Sequence, residues 1–466
     1  MLIIGHSNTD IEIIRKTLAK RGAKIYFIGI GGISMSSLAM MANGRGLNVA
    51  GSDIRITDIT KRLATLGIRI NYTHGKAAIM EYSPDIVVYS LSISGDNPEY
   101  LMAKSLGILC VSRAELLGAF MTEYVTPIGI SGSHGKSTTT AMTAKILECA
   151  GLFPTVLCGA EISDGIGYIK GEDGGYLVYE ACEYGDSFLK FSPKIQIMLN
   201  LDLDHTDYFK DEAAISESFL KAANLSETVI LSADSKNLRS IIDRTKAKII
   251  TYGTRPGFTY RYEERELGSG KFGFALYKGD VPMGEFELSI IGRYNVQNAV
   301  GAAIAAEQIG ISKEIIREAL LEFSGIPRRM EFLKKTEFGD VYYDYAHHPC
   351  EIKAAREALE KAGYKRIYAT FFPHTYSRTK SFFYEFAKEL SLFDTVFITD
   401  IFGAREKAIT GISSSALSEA VRECGGKSST VNDDDLFIKL RENSGDCLVI
   451  MGAGDALKIK EKIFKL

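Results

Sequence analysis

The segment SGSHGKSTTT (131–140) has the residue types of a loop that binds a polyphosphate. It follows the apolar run VTPIGIS (125–131) and precedes a helical pattern, so we expect it at a helix N-terminus. Glycines let backbone N–H groups turn towards phosphate oxygens, a lysine supplies charge, and a serine hydroxyl can bind Mg²⁺. These residues are Gly132, Gly135, Lys136 and Ser137. Although Ile130 stands where the strict pattern G-x-x-x-x-G-K-[ST] has its first glycine, we interpret 131–140 as a phosphate cradle.

A second glycine-rich turn, GIGGISMSSLA (29–39), follows the apolar run KIYFIGI (24–30). It resembles the dinucleotide fingerprint G-x-G-x-x-G, and Asp53 stands where an acid that binds a ribose is expected. Ser34 replaces the third glycine, however. Two interpretations stay open: a diphosphate at the helix N-terminus, or a tight turn without a ligand.

Two later strands end in acids, within VYEACEYGDSFL (178–189) and MLNLDLDHTDYF (198–209). The carboxyl ends of neighbouring parallel strands converge where ligands bind. We therefore expect Glu180 and His205 to hold the Mg²⁺ that bridges ATP phosphates. For the remaining acids, the alternative is a solvated loop position; these acids are Asp202, Asp204 and Asp207. We favour the solvated position for Asp202.

In the last third of the chain, arginines, histidines and acids alternate near predicted strand ends. The segments are IPRRMEF (326–332), YYDYAHHPCEI (342–352), FFPHTYSRT (371–379) and DIFGAREKAITG (400–411). Such a set suits anionic substrates, because arginine can bind a carboxylate with two parallel hydrogen bonds. A metal at His347, His348 and Cys350 is not expected, since neighbouring residues on a strand point to opposite faces.

Short β-branched runs alternate with longer helical stretches along the whole chain, which predicts an α/β fold with parallel sheets. Besides the two runs already given, they are DIVVYS (85–90), IQIMLN (195–200), RIYATFF (366–372), TVFITD (395–400) and CLVIMG (447–452). A length of 466 residues indicates roughly three domains. The predicted segments are 1–122, 123–326 and 327–466. Residues 1–23 form an N-terminal extension without an assigned function, in which 10–21 could be a helix and His6 is interpreted as a surface residue.

Composition excludes several classes of protein. The net charge is −3 without a basic block, so a nucleic-acid partner is not expected. The seven cysteines are scattered and form no C-x-x-C pair, which favours reduced, mostly buried thiols. No apolar run approaches the ~18 residues that cross a bilayer, and the apolar start is too short for a signal peptide. We expect a cytoplasmic enzyme without a membrane partner.

With these motifs identified, the chain resembles the Mur ligases over nearly its whole length. Nine segments match in the family's order: GIGGISMSSLA with GSD, SGSHGKSTTT, EACEYGDSF, NLDLDHTDYF, GRYNVQNAVGAA, GIPRRMEF, DYAHHPCEI, FFPHTYSRT and GAGD. The resemblance implies three α/β domains. They are an N-terminal Rossmann-like domain for a UDP-sugar, a central P-loop ATPase-like domain for ATP and Mg²⁺, and a C-terminal Rossmann-like domain for an amino acid.

The resemblance also implies a reaction and its site. The expected reaction is the ADP-forming ligation of L-alanine to UDP-N-acetylmuramate through an acyl phosphate, in peptidoglycan precursor synthesis. The expected ATP-binding residues are Gly132, Ser133, His134, Gly135, Lys136, Ser137, Thr138, Asn295, Arg329 and Asp344. The expected UDP-sugar residues are Gly31, Gly32, Ser52, Asp53, His74 and Ser90. Tyr345, His347 and Arg378 are expected near the amino acid, and Ser137, Glu180 and His205 at the metal. The residues with expected catalytic roles are Lys136, His205, His347 and Arg378, with His347 as the candidate base for the amine.

Three positions depart from the family pattern. Tyr294 stands where a histidine is usual, and Thr375 stands where many members have an arginine, so the carboxylate clamp depends more on Arg378. Phe219 occupies the place of a carbamylated lysine found in several sibling ligases. The alanine-adding branch lacks that lysine, so Phe219 favours this branch.

Three alternatives to this function stay open. A nicotinamide-dependent dehydrogenase would use the turn at 29–39 but leave the phosphate cradle without a role. A nucleotide-binding regulator without catalysis would require a broken catalytic set, whereas Lys136, Ser137, Glu180 and His205 are all present. Within the ligases, a sibling that adds a whole peptide to the same sugar nucleotide in cell-wall recycling is the closest alternative.

Overall fold

The computed structural model describes residues 5–162, 165–203, 205, 208–337, 339–404, 406–432, 435–442, 445–453 and 456–464. The chain folds as two compact units. The first comprises residues up to 202, 212–261 and 300–319, and the second comprises 203–211, 262–299 and the residues from 320 onwards. Within the described residues there are three sheets, of five, ten and six strands.

The first sheet lies in the first unit and is parallel throughout. Its strands are β1 (Lys24–Ile28), β2 (Asn48–Ser52), β3 (Arg69–Asn71), β4 (Ile86–Tyr89) and β5 (Leu109–Ser112). The helices of this region are α1 (Ile11–Leu18), α2 (Ile33–Gly44), α3 (Asp58–Thr65), α4 (Lys76–Tyr82), α5 (Pro98–Ser105) and α6 (Arg113–Met121). The order β3-β2-β1-β4-β5 reverses direction beside β1, which places a ligand crevice at the carboxyl ends of β1 and its neighbours.

The second sheet has a parallel part in the first unit. Its strands are β6 (Thr126–Ser131), β7 (Thr155–Leu157), β8 (Tyr168–Ile169), β9 (Tyr176–Glu180), β10 (Ile195–Met198), β11 (Thr228–Ser232) and β12 (Lys248–Gly253). Strand β6 lies between β9 and β10, and β8 is an antiparallel edge strand on β7. The helices here are α7 (Lys136–Cys149), α8 (Glu212–Asn224) and α9 (Lys236–Arg239), with 3₁₀ turns at Tyr184–Lys190 and Ile242–Arg244.

The same sheet continues into strands that the sequence did not predict. They are β13 (Tyr260–Gly268), β14 (Lys271–Lys278) and β15 (Val281–Ile291), and β14 pairs antiparallel with β15. Helices α10 (Tyr294–Gln308) and α11 (Lys313–Glu322) follow. Much of β13 and β15 is exposed, so these strands lack the continuous apolar runs that identified the buried parallel strands.

The third sheet lies in the second unit. Its strands are β16 (Glu331–Thr336), β17 (Gly339–Asp344), β18 (Ile367–Phe372), β19 (Thr395–Ile398), β20 (Ser428–Thr430) and β21 (Cys447–Gly452). The order is β16-β17-β21-β18-β19-β20, parallel except for the pair β16–β17. The helices are α12 (Pro349–Lys361), α13 (Tyr376–Ser381), α14 (Phe383–Leu390), α15 (Ser414–Glu423), α16 (Asp435–Glu442) and α17 (Ala456–Phe464).

The apolar runs found in the sequence are the central strands of these sheets. β4, β6 and β21 are buried along their whole length, as expected for parallel strands covered by helices on both faces. In the third sheet, Val449 and Ile450 of β21 enter different apolar clusters, because successive side chains point to opposite faces. The predicted α/β fold with parallel sheets is therefore confirmed.

The N-terminal extension contains the expected helix, since α1 begins after the N-cap Asp10 and packs against α6. His6, interpreted as a surface residue, is only partly buried and makes two specific contacts. Its two ring nitrogens lie 2.8 Å from Ser112 Oγ and 2.8 Å from the carbonyl oxygen of Gly185. These partners follow His6 by 106 and 179 residues, and no local spacing could have indicated them.

The cysteine prediction is confirmed in one respect only. All seven cysteines are free thiols. Three of them are buried, namely Cys110, Cys158 and Cys447, so the expectation that most would be buried is wrong.

Candidate active site

The phosphate cradle connects β6 to α7 as the sequence predicts. Gly132 and Gly135 have φ angles of 145° and 86°, which side chains disfavour. A Cβ at Gly132 would lie 3.1 Å from Leu199 Cβ, so the turn is also sterically confined. The side chain of Asn200 holds the turn from the next strand, because it accepts from His134 N–H at 2.7 Å and donates to His134 O at 3.0 Å. The backbone of the cradle is thus held by the protein itself.

Lys136 lies over this turn, and a buried acid neutralises its charge. Its Nζ donates to Gly132 O at 2.5 Å and to Glu183 Oε1 at 3.0 Å. The Glu183 side chain is fully buried. Burial by itself lowers the pKa of Lys136, but the Glu183 carboxylate outweighs burial and raises that pKa above its usual value. Lys136 is therefore a permanent cation at neutral pH. Sequence reasoning missed Glu183, although it belongs to the quoted segment 178–189.

Glu180 ends β9 beside the first turn of α7. Its Oε1 accepts from the backbone N–H of Gly159 at 2.8 Å and from the thiol of Cys158 at 2.9 Å. The same thiol lies 3.9 Å from the carbonyl oxygen of Ser137. The carboxylate of Glu180 and the backbone of Ser137, two of the three predicted metal ligands, therefore both lie beside the Cys158 thiol.

The third predicted ligand, His205, lies in the second unit and has a φ angle of 54°. Its carbonyl oxygen accepts from the N–H groups of Tyr208 and Phe209, at 2.8 and 2.9 Å. Asp204 and Asp207 lie outside the described residues. The described acid of this segment, Asp202, is 57% exposed at its side chain, in agreement with a solvated loop position.

At the carboxyl edge of the first sheet, four of the six predicted UDP-sugar residues form two contacting pairs. Gly31 N–H donates to Asp53 Oδ2 at 3.0 Å, and a Cβ at Gly31 would lie 2.8 Å from the same oxygen. Ser52 Oγ and His74 Nδ1 lie 3.1 Å apart. Gly32 is the N-cap of α2, and Ser90 Oγ lies 2.8 Å from Ser92 Oγ. Asp53 therefore anchors the turn between β1 and α2.

In the second unit, Asp344 ends β17 and is 7% exposed. It accepts from the N–H groups of Met330 at 3.1 Å and Ala346 at 2.9 Å. Burial raises the pKa of Asp344 to about 7, while the positive charge of Arg329 opposes the increase. Asn295, expected at the adenine, is also buried and donates to Ile291 O at 2.8 Å.

The predicted amino-acid residues meet at the carboxyl edge of the third sheet. The rings of Tyr345 and His347 lie 5.2 Å apart, and the guanidinium of Arg329 lies 5.2 Å from the Tyr345 ring. His347 Nδ1 lies 2.7 Å from Tyr345 O, which can only accept. His347 therefore carries a proton on Nδ1, and its Nε2 is the basic atom when the ring is neutral.

Arg378, the third predicted amino-acid residue, is linked to His347 through the ring of His374. Its Nη1 donates to His374 Nδ1 at 3.5 Å, and the His374 ring lies 6.4 Å from that of His347. Burial lowers the pKa of His374 to about 4, and the Arg378 charge adds to the shift. Thr375 has a φ angle of 65° and caps α13 by accepting from Arg378 N–H. Thr375 thus orients the helix that carries Arg378.

Phe219 is fully buried and packs edge-on against Phe188, with ring centroids 5.2 Å apart. This position is part of the apolar core beneath α8. The resemblance predicts that this position corresponds to the carbamylated lysine of several sibling ligases, and in this chain it holds a buried apolar side chain.

Three family descriptions match the chain in sequence. Residues 24–125 match the Mur ligase family catalytic domain, 130–306 the Mur ligase middle domain, and 328–454 the Mur ligase glutamate ligase domain. This chain belongs to the Mur ligase family. The resemblance inferred from nine motifs is therefore confirmed, as is the three-domain α/β fold.

Two curated proteins that match nearly the whole of this chain have the same name. The UDP-N-acetylmuramate–L-alanine ligase of Caldanaerobacter subterraneus is 40% identical over 95% of this chain and 97% of its own length. The ligase of the same name from Acetivibrio thermocellus is 39% identical over 95% of both chains.

Two solved Mur ligase structures are also similar. The UDP-N-acetylmuramate-alanine ligase of Thermotoga maritima has a TM-score of 0.81 and 26% identity over 95% of this chain and 98% of its own. A murein peptide ligase from Psychrobacter arcticus has a TM-score of 0.71 at 24% identity, over 95% of this chain and 98% of its own, and so shares the fold. In the described part of the chain, no helix has the length and apolar composition needed to cross a membrane.

Proposed function

We propose that this chain is an ADP-forming ligase that joins L-alanine to the lactyl carboxylate of UDP-N-acetylmuramate. The observation that carries the proposal is the match, over nearly full length on both sides, to curated ligases of that name. The product is a precursor of peptidoglycan. As an ATP-dependent ligase, the enzyme activates the carboxylate before it forms the amide bond.

We infer that the phosphate cradle binds the ATP phosphates, with Gly132 to Thr138 around them. The conformation of the cradle and the permanent charge of Lys136 support this inference. Asn295, Arg329 and Asp344 are proposed to complete the ATP site.

We infer that Mg²⁺ is held by Ser137, Glu180 and His205. Hydroxyl and carboxylate oxygens are hard ligands that suit this ion. A Cβ at Gly159 would lie 2.8 Å from Glu180 Oε2, so the glycine leaves space that any other residue would fill beside the carboxylate. When bound, Mg²⁺ neutralises charge on the ATP phosphates.

The chemistry needs no nucleophilic side chain. An oxygen of the lactyl carboxylate attacks the γ-phosphorus of ATP, the bond to ADP breaks, and an acyl phosphate forms. The neutral amine of alanine then attacks the acyl carbon, and phosphate leaves from the tetrahedral intermediate. The protein contributes position and fixed charge, which provide most of the rate in phosphoryl transfer. Lys136 supplies such a charge.

We infer that the carboxyl edge of the third sheet binds alanine. Arg378 is proposed to bind its carboxylate, supported by the cap that Thr375 places on α13. His347 is proposed to accept a proton from the amine through Nε2, because Nδ1 already donates to Tyr345 O. Tyr345 is proposed to line the same site.

The first sheet is proposed to bind the UDP-sugar at Gly31, Gly32, Ser52, Asp53, His74 and Ser90. This division of labour follows the proposed segments 1–122, 123–326 and 327–466. We also propose that the enzyme acts in the cytoplasm, which agrees with its seven free thiols.

The test is ADP release by the purified chain with UDP-N-acetylmuramate, ATP and a panel of acceptors. Turnover with L-alanine well above glycine, L-serine and an L-alanyl tripeptide is the expected result. Preference for the tripeptide would instead assign the chain to the peptide-adding ligases. ADP release that does not depend on the acceptor would contradict both functions.

A further inference from the structure

A buried glutamate at the carboxyl edge of the first sheet has no role in the function described above. Glu99 lies in the first turn of α5, and its side chain is completely buried. Its Oε1 accepts from the Tyr26 hydroxyl at 2.9 Å, and its Oε2 accepts from the Ser52 hydroxyl at 2.5 Å. A carboxylate that is removed from water in this way needs a counter-charge or a complete set of donors.

The side chain that can supply a positive charge next to Glu99 is that of His74. Glu99 Oε2 lies 2.9 Å from His74 Nδ1, and His74 follows the end of β3. The His74 side chain is 24% exposed, so part of it reaches the surface. Within the described residues Nε2 makes no hydrogen bond, which leaves it as a donor for a ligand.

The surrounding charges all act on His74 in one direction. The hydrogen bond that His74 donates to Glu99 raises the pKa of His74, burial lowers it, and the charges of Glu99 and Asp53 raise it further, so the net shift is upwards. Tyr26 on β1 stays neutral, because burial raises the pKa of its hydroxyl. His74 therefore has negative neighbours on both α5 and the segment after β2.

We propose that Glu99 is a positioning residue for the sugar nucleotide: it orients the His74 ring and keeps it positively charged to bind the diphosphate. The inference rests on the proposed function, which places the UDP-sugar at this edge of the sheet. Ser52 and Tyr26 hold the carboxylate, the carboxylate holds Nδ1, and the charged Nε2–H is presented to a phosphate oxygen. Loss of Glu99 then weakens diphosphate binding through His74, without a contact between Glu99 and the ligand.

The test is calorimetric binding of UDP-N-acetylmuramate, UDP and uridine between about pH 6 and about pH 8.5, where an unperturbed histidine loses its proton. We expect UDP affinity to fall by about tenfold as His74 loses its proton, which is the loss of one charge-assisted hydrogen bond. This fall should begin at lower pH in E99Q than in the wild type. UDP lacks the lactyl carboxylate and uridine lacks the diphosphate. A decrease shared by UDP and UDP-N-acetylmuramate but not by uridine therefore identifies the diphosphate as the group that His74 binds.

Two further variants keep the result interpretable. E115Q removes another buried glutamate of the same region, one bonded to Ser112 and Ser7, and should bind UDP as the wild type does at each pH. H74Q should bind UDP weakly at every pH, and adding E99Q to it should have little further effect. The imidazole signals of His74, followed by NMR, should titrate at lower pH in E99Q than in the wild type.

An E99Q profile that matches the wild type, or an additive double variant, would overturn the inference. Failure of the wild type to ligate alanine to UDP-N-acetylmuramate would instead contradict the proposed function. The two failures are distinguishable because the first is measured by binding and the second by product formation.

Discussion

At the phosphate cradle, Lys136 lies 3.0 Å from the buried carboxylate of Glu183. This carboxylate raises the pKa of Lys136 although burial lowers it. At the edge of the third sheet, burial shifts pKa values towards neutral forms, to about 7 for Asp344 and about 4 for His374. Desolvation acts in both regions, but only the cradle places an opposite charge close enough to outweigh it. The cradle therefore keeps its charge across the neutral range, whereas the third-sheet edge responds to pH.

Removing the cradle charge tests the first half of this comparison. Lys136→Ala should lower the ligation rate by about a thousandfold, because a fixed charge next to the transferred phosphoryl group is lost. UDP-N-acetylmuramate affinity should stay nearly unchanged, since its site is assigned to the first sheet. Rapid-quench kinetics and calorimetry measure the two quantities. Lys145→Ala, on the same helix, is the matched control, and an equal loss of UDP-sugar affinity in Lys136→Ala would contradict the division of labour.

Removing the third-sheet cation should affect a different substrate. Arg378→Ala should weaken the binding of alanine by about 2–5 kcal/mol, because a charged carboxylate loses its partner. The KM for alanine should therefore rise strongly. The KM for ATP should change much less. Steady-state kinetics with each substrate varied in turn tests this, with the exposed Lys380→Ala on the same helix as the control. An effect confined to ATP would mean that Arg378 serves the phosphates.

The pKa of Asp344 predicts a pH dependence of stability. With a folded-state pKa of about 7 and an ordinary value of 3.8, the native state holds a proton that the unfolded state has released between these pH values. The contribution of this proton to the free energy of unfolding is therefore complete below the ordinary pKa. It is lost as pH rises through about 7, by up to ~1.4 kcal/mol per pH unit.

Urea unfolding from about pH 5 to about pH 8 tests this dependence in the wild type and in Asp344→Asn. The variant should lose less stability over the range, even if its stability at any one pH is lower because a backbone N–H loses its acceptor. Parallel pH profiles for the two proteins would show that Asp344 does not titrate in this window.

The smallest effect is expected from bicarbonate, which should leave the activity unchanged. The resemblance predicts that Phe219 occupies the place of a carbamylated lysine, so we expect activity in degassed buffer not to change when bicarbonate is added. Coupled measurement of ADP release is sufficient. Stimulation by bicarbonate would indicate a carbamylated lysine elsewhere.

The sequence by itself determined the features whose residues are close together along the chain. The strand, turn and lysine of 125–140 form one continuous segment, and its backbone conformation follows from local glycines. The same holds for the cores of β6 and β21, since a strand buried on both faces must be apolar throughout. The order of nine such segments was sufficient to indicate the family.

Only the tertiary structure decided which distant residues control the charged groups. Glu183 follows Lys136 by 47 residues, Cys158 precedes Glu180 by 22, and Glu99 follows His74 by 25. An acid or thiol in these positions has no periodicity or spacing that distinguishes it from a solvated side chain. Its effect depends on burial and on a partner within hydrogen-bond distance, and both arise only when separate strands and helices are packed together.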